Sequence, residues 1–236
     1  MNQPVPAESP AFSQFIQSVS QLKIAFLPAA QKTTYSDSEV VAAKAFLVFA
    51  HAELEDYLEQ ACRMKANKAL SELQTNGLTG ITALSLMAYC GVATSRPTEI
   101  AKYQQTHKNL ARDFATFASP STRALLSSLK TAVGVHSELC RKNNGIKEAN
   151  LLPMVVPLGL DPLKIETSWL LELNSFGVDR GAHAHRGLAS VKRIDDPYGA
   201  SKQLDRIIDG PPGSAPAAGS SIQVHSLRSL DAYLRS

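Results

Sequence analysis

Apolar residues recur at intervals of three and four through most of the chain, and nowhere do they alternate one by one over the length of a strand. Such spacing lines one stripe of a helix, whereas a half-buried strand needs a period of two. Phe12, Phe15, Ile16, Val19, Leu22 and Phe26 make the first stripe, which stops before Pro28. Val41, Ala45, Val48, Leu54, Leu58 and Ala61 belong to a longer helix, capped by Ser36, Asp37 or Ser38 and ending near Ala69. Residues 76–97 hold three glycines and one proline, and read as a loop with room for one short helix. Thr98 caps a helix through Phe117, and Ser119 or Ser121 opens another that ends at Asn143-Asn144-Gly145. Shorter helices follow over residues 146–156, 164–176, 179–192, 198–208 and 226–234, with Gly177 marking a break between the second and third of these. The expected fold class is therefore all-α, a helical bundle with extra peripheral helices.

With 236 residues, 44% of them hydrophobic, the chain is long enough to bury a core without a disulfide or metal staple. The boundaries expected are a mobile tail over 1–10, a single helical domain over 11–209, and a flexible linker with a short amphipathic segment over 210–236. The Pro/Gly/Ser-rich stretch PPGSAPAAGSS supplies that linker. The 24 Lys and Arg against 21 Asp and Glu exclude a strongly basic coating protein and an acidic disordered chain. Any nucleic-acid site must then be a local patch. The longest apolar stretches, 81–93 and 151–160, fall short of the roughly 18–20 residues of a membrane span, so no membrane partner is expected. The N-terminus lacks the pattern of a signal peptide, which makes the cytoplasm the expected compartment. Cys62, Cys90 and Cys140 are odd in number with no close pair, fitting neither a disulfide framework nor a zinc knuckle. No cofactor or metal is expected.

The densest chemistry lies in Asp179-Arg180-Gly181-Ala182-His183-Ala184-His185-Arg186-Gly187. A guanidinium is a permanent charge that grips two phosphate oxygens at once, and an imidazole exchanges a proton near neutrality. Together they suit phosphodiester cleavage: the imidazole moves a proton at the ribose 2′-OH or the leaving 5′-oxygen, and the guanidinium stabilises the added negative charge. The bland reading of the same residues is a basic helix end with solvated histidines. On a continuous helix the five-residue step from Arg180 to His185 turns the chain by about 500°, leaving the two about 140° apart. They act on one phosphate only if Arg180 sits in a loose first turn or if two chains bring their clusters together.

The stretch Arg180 to His185 matches the R-x-x-x-x-H signature of HEPN domains (higher eukaryotes and prokaryotes nucleotide-binding). Two more regions resemble the bacterial branch known as RiboL-PSP-HEPN. One is Phe49-Ala50-His51-Ala52-Glu53-Leu54-Glu55-Asp56-Tyr57-Leu58, similar to that branch's first core helix; the other runs from Asn143 to Arg186, with Asn144-Gly145-Ile146-Lys147, then Leu158-Gly159-Leu160-Asp161, then the motif. The resemblance covers roughly residues 38–195. It implies a metal-independent endoribonuclease, usually a homodimer, with Arg180 and His185 as the catalytic pair and RNA as substrate. It also implies a role as a toxin or in anti-phage defence, with a cognate antitoxin or defence partner. The alternative is a non-catalytic HEPN module that binds RNA, a nucleotide or a partner protein. Gly181 favours it, since relatives often carry a polar side chain there. Gly187 stands where some relatives carry a tyrosine that a partner enzyme modifies, so that form of control is not implied.

Around this core, His183 and Arg186 are candidates for phosphate binding or for assisting catalysis. Glu55 shares a stripe with Val41, Ala45, Val48 and Ala52, and a carboxylate on such a face needs a partner if buried. The expectation is that it orients Arg180 or a histidine. Arg141, Lys142 and Lys147, and Lys192 with Arg193, could track an RNA backbone or simply face water. His51, His107, His136 and His225 read as isolated structural or exposed residues. A further possibility is that the C-terminal segment docks on another protein.

Overall fold

A computed structural model describes residues 8–77, 80–92, 122–185, 196–214 and 219–236; for Val92, 122–123 and 179–185 it gives the backbone alone. Among the described residues the fold is all-α, with eight α-helices and no strand. They are α1 (Pro10–Phe26), α2 (Asp37–Asn76), α3 (Ile81–Leu86), α4 (Thr122–Arg141), α5 (Glu148–Val155), α6 (Thr167–His185), α7 (Lys202–Asp209) and α8 (Leu227–Arg235). None of the described helices is long and apolar enough to cross a membrane. The chain divides into two compact units, Met1–Tyr57 with Ile165–Ser236, and Leu58–Lys164. Helix α2 begins in the first unit and ends in the second.

In the first unit, α1 opens with Pro10 behind the cap Ser9, whose hydroxyl accepts from the Phe12 amide at 3.0 Å. Ser36 is the cap of α2. Its hydroxyl accepts from the Glu39 amide at 3.3 Å, and the Glu39 carboxylate accepts from the Ser36 amide at 2.9 Å, a reciprocal capping box. Hydrogen bonds from Lys32 and Ser36 hold the Glu39 carboxyl down at about 2. Phe12 and Phe15 of α1 are buried against Tyr57, with ring centroids 5.4 Å apart in both pairs. Trp169 of α6 is fully buried, and its indole N–H donates to the Ile207 carbonyl of α7 at 2.9 Å.

The C-terminal segment belongs to this unit and is not a loose end. A second capping box, Ser226 with Ser229, starts α8, which buries Leu227, Leu230 and Leu234. Buried Asp231 accepts from the Ser9 amide and hydroxyl, from Tyr57 at 3.1 Å and from Arg235 at 2.9 Å. Ser9 and Pro10 are thereby ordered where a mobile tail over 1–10 was expected.

In the second unit, Leu58, Cys62, Ala66, Ala69 and Leu73 carry the buried face of α2 until Gly77, at φ 65°, ends the helix. The expected loop over 76–97 is instead helical from Ile81 to Val92, as α3 followed by a π-helical stretch, Met87–Val92. Gly77 and Gly80 flank this stretch and only Gly91 lies within it, where the buried Ala83, Leu86, Met87, Ala88, Tyr89 and Cys90 hold the chain helical and packing outweighs propensity. Helix α4 buries Leu129, Ala132, Val133, His136 and Cys140. Helix α5 buries Leu151, Leu152, Met154 and Val155, and a 3-10 turn, Val156–Leu158, follows. Ser85 and Thr82 donate to the Val156 and Leu158 carbonyls at 3.1 and 3.0 Å. The helix expected over 98–117 lies outside the described residues.

Helix α6 corrects the expected break at Gly177, for it runs unbroken from Thr167 to His185. A mid-helix glycine costs about 1 kcal/mol relative to alanine. Gly177 is buried, on the side of the helix that also buries Leu173 and Phe176, and that packing is the larger effect.

Candidate functional site

Arg180, His183 and His185 all stand on the last turns of α6. Their side chains, Arg186, and Lys192 with Arg193 lie outside what the structure describes, as does His107. The backbone still decides one point. Arg180 follows thirteen residues of regular helix, so it does not occupy the loose first turn that would let it reach round to His185.

Two registers run along α6. Trp169, Leu173 and Phe176, all at most 1% exposed, step by four and three, and the next step of four reaches position 180. Leu171 and Val178, 63% and 56% exposed, are seven apart, and the next seven reaches position 185. Seven residues turn a helix by about 700°, within roughly 20° of two full turns, so these positions share a line. Position 180 therefore continues the packed face and position 185 the exposed apolar one.

Opposite the packed face stands a residue that sequence reasoning set aside. His51 of α2 is 1% exposed, and its ring stacks on Phe176 at 6.0 Å with an interplanar angle of 25°. Glu55, one turn further along α2, brings Oε2 to 3.7 Å from His51 Nδ1, with its side chain 15% exposed. That separation is too long for a hydrogen bond but close enough for strong electrostatic interaction in a dry setting. Glu55 is thus beside a histidine, and that histidine is His51. The i, i+4 spacing of His51 and Glu55 was legible in the sequence, but the aromatic partner 125 positions away was not.

The other candidates separate from this site by their local chemistry. Arg141 makes two hydrogen bonds to Glu138, at 2.9 and 2.7 Å, and Lys142 reaches the same carboxylate at 3.1 Å. Those donors hold the Glu138 carboxyl at about 2, so this basic group already has its counter-charge. Lys147 caps the start of α5. His136 is fully buried, and its Nε2 pairs with the Met154 carbonyl at 2.8 Å. Cys62 and Cys140 are buried thiols; desolvation pushes Cys62 well up and Cys140 up to about 12. They are poor nucleophiles and poor metal ligands in that state. Among the described residues no group of three or more His, Cys, Asp and Glu side chains is placed to hold a metal. A 490 Å³ cleft in the first unit is rimmed by Lys23 and Lys202, but these ammonium groups pair with Asp205 at 2.5 Å and Asp196 at 3.5 Å.

No protein-family model matches the chain, and no curated protein or solved structure matches it.

Proposed function

We propose that this chain is a metal-independent endoribonuclease of HEPN type, acting in the cytoplasm as a two-fold dimer with Arg180 and His185 as its catalytic pair. The observation that carries this reading is the placement of both motif residues on one unbroken helix, Thr167–His185, at positions on its packed and exposed faces respectively. About 140° of rotation between them leaves a single copy with half of what one phosphate needs. The exposed apolar line of Leu171 and Val178 leads to position 185, and such a line gains by being covered in a self-complementary contact. The reading requires the second copy to bring its own His185 within reach of the first copy's arginine.

The chemistry follows from the two groups. An imidazole takes the proton of the ribose 2′-OH, the 2′-oxygen attacks phosphorus, and the bond from phosphorus to the 5′-oxygen breaks. The leaving oxygen receives a proton, and the guanidinium stabilises the charge that builds on the phosphoryl oxygens. The products are a 2′,3′-cyclic phosphate and a 5′-hydroxyl. A role as a toxin or in anti-phage defence, under a cognate antitoxin or defence partner, rests on the resemblance of the motif and its two accompanying landmarks.

Total RNA incubated with the purified chain in EDTA tests the reading, with cleavage to cyclic phosphate ends expected. Arg180→Ala and His185→Ala should each lose about 10²–10⁴-fold in rate with an unchanged melting temperature. Mixing the two inactive variants should restore activity, since a mixed dimer keeps one intact site. Salt-sensitive RNA binding without cleavage would instead support the non-catalytic module, which Gly181 after the motif arginine favours.

A further inference from the structure

We propose that the 490 Å³ cleft of the first unit binds one nucleotide, with the base between Tyr198 and the end of α1 and the phosphate between Lys23 and Lys202. The last turn of α1 with the residues after it, and the turn that leads into α7, form the cleft. Its volume falls within the roughly 300–1,000 Å³ of small-molecule sites. One side is aliphatic, lined by Ile24, Leu27 and Pro28, and Ile24 is 85% exposed. Tyr198, 40% exposed, adds an aromatic ring. A flat ring with two apolar faces suits such walls, and every nucleobase has one.

Among the described residues, the charged side chains lining the cleft are both lysines, and the carboxylates that pair with them stand outside its lining. Lys23 Nζ lies 2.5 Å from Asp205 Oδ1, and Asp205 Oδ2 accepts from the Ser201 hydroxyl at 3.1 Å. Lys202 Nζ lies 3.5 Å from Asp196 Oδ2. A Cβ at position 199 would stand 2.3 Å from that oxygen and 3.0 Å from Lys202 Nζ, so glycine there lets the pair close. The carboxylates thus set the places of both ammonium groups without exhausting them. An ammonium has three N–H donors, and one given to a carboxylate leaves two for a ligand. The four side chains are all at least 34% exposed, so water screens these pairs and a phosphate competes with them. A 280 Å³ cleft beside α8 has the opposite lining. There Glu8, Asp209 and Asp231 outnumber Arg228 and Arg235, which already pair with them.

Two sources present this chemistry, a free mononucleotide and a nucleotide within single-stranded RNA. The second rests on the ribonuclease reading, and would give that substrate a hold apart from the motif. Calorimetric titration of the full chain in EDTA uses four probes: adenosine monophosphate, adenosine, inorganic phosphate, and a 2′-O-methyl hexa-adenylate whose blocked 2′-oxygen cannot attack. Tyr198→Ala, and Lys23→Gln combined with Lys202→Gln, are titrated alongside, with melting temperatures expected to match the parent. We expect adenosine monophosphate to bind more tightly than adenosine or phosphate. Tyr198→Ala should weaken it about tenfold through lost stacking. The double lysine variant should weaken it to a similar extent and flatten its dependence on salt. The same losses seen with the oligonucleotide alone would assign the cleft to RNA. Binding of neither, binding that both variants leave unchanged, or phosphate bound as tightly as the mononucleotide would overturn the proposal. A chain that binds through the cleft but does not cleave RNA would overturn the ribonuclease reading alone.

Discussion

Among the described side chains, each unit buries one histidine on a long helix, and the two are handled differently. In the second unit, His136 of α4 pairs with the Met154 carbonyl of α5 at 2.8 Å and has the Cys140 thiol 3.9 Å away. There the imidazole satisfies a main-chain group. In the first unit, His51 of α2 lies between the Phe176 ring and the Glu55 carboxylate. There a proton-carrying group is set beside a charge, next to the helix that bears the motif. The contrast teaches that burial alone does not set what a histidine responds to. The nature of the partner does, because a carbonyl needs only a donor whereas a carboxylate responds to charge.

The largest expected break in this comparison comes from His136→Ala. It empties a packed position and strands the Met154 carbonyl, and should lower stability by about 3 kcal/mol. Urea denaturation would measure that loss, while RNA cleavage per folded molecule should stay at the parental value. His51→Phe keeps a ring against Phe176 and should cost less stability. Equal losses in the two variants would dissolve the distinction.

The pH dependence of stability tests the burial of the thiols in the second unit. Desolvation raises the Cys140 thiol from 9.0 to about 12, so the folded state keeps its proton after the unfolded chain has lost it. Stability is complete below about pH 9 and should fall between pH 9 and 12 by about 1 kcal/mol per unit. Melting curves across that range should show the fall, and Cys140→Ala should lessen it without removing it, since burial raises the Cys62 thiol as well. The smallest effect is expected at Arg141, an exposed residue paired with Glu138. Arg141→Ala should leave both the melting temperature and RNA cleavage almost unchanged, because water screens an exposed pair. A marked loss of RNA cleavage there would move part of the substrate track into the second unit.

Much of the helical layout was legible because helix signals are local. The caps at Ser36 and Ser226, the stop before Pro28 and the turn at Asn143 are each written within a few residues. Where local signals misled, long-range packing was responsible. Gly177 and Gly91 carry the weak propensity of a break, and the buried faces around them keep the chain helical. Asp231 was unremarkable in sequence and proves to be the acceptor that ties Ser9 and Tyr57 to α8. His51 was likewise passed over, since its partner Phe176 is remote in the chain.

What the sequence determined by itself was the helical class, through its spacing of three and four. Tertiary structure alone decided that α6 stays unbroken, which face of it is packed, and that His51 stacks on Phe176. Periodicity is a property of neighbours along the chain. The choice of face is made by whichever distant side chains fill the space against it, and no local window of sequence contains them.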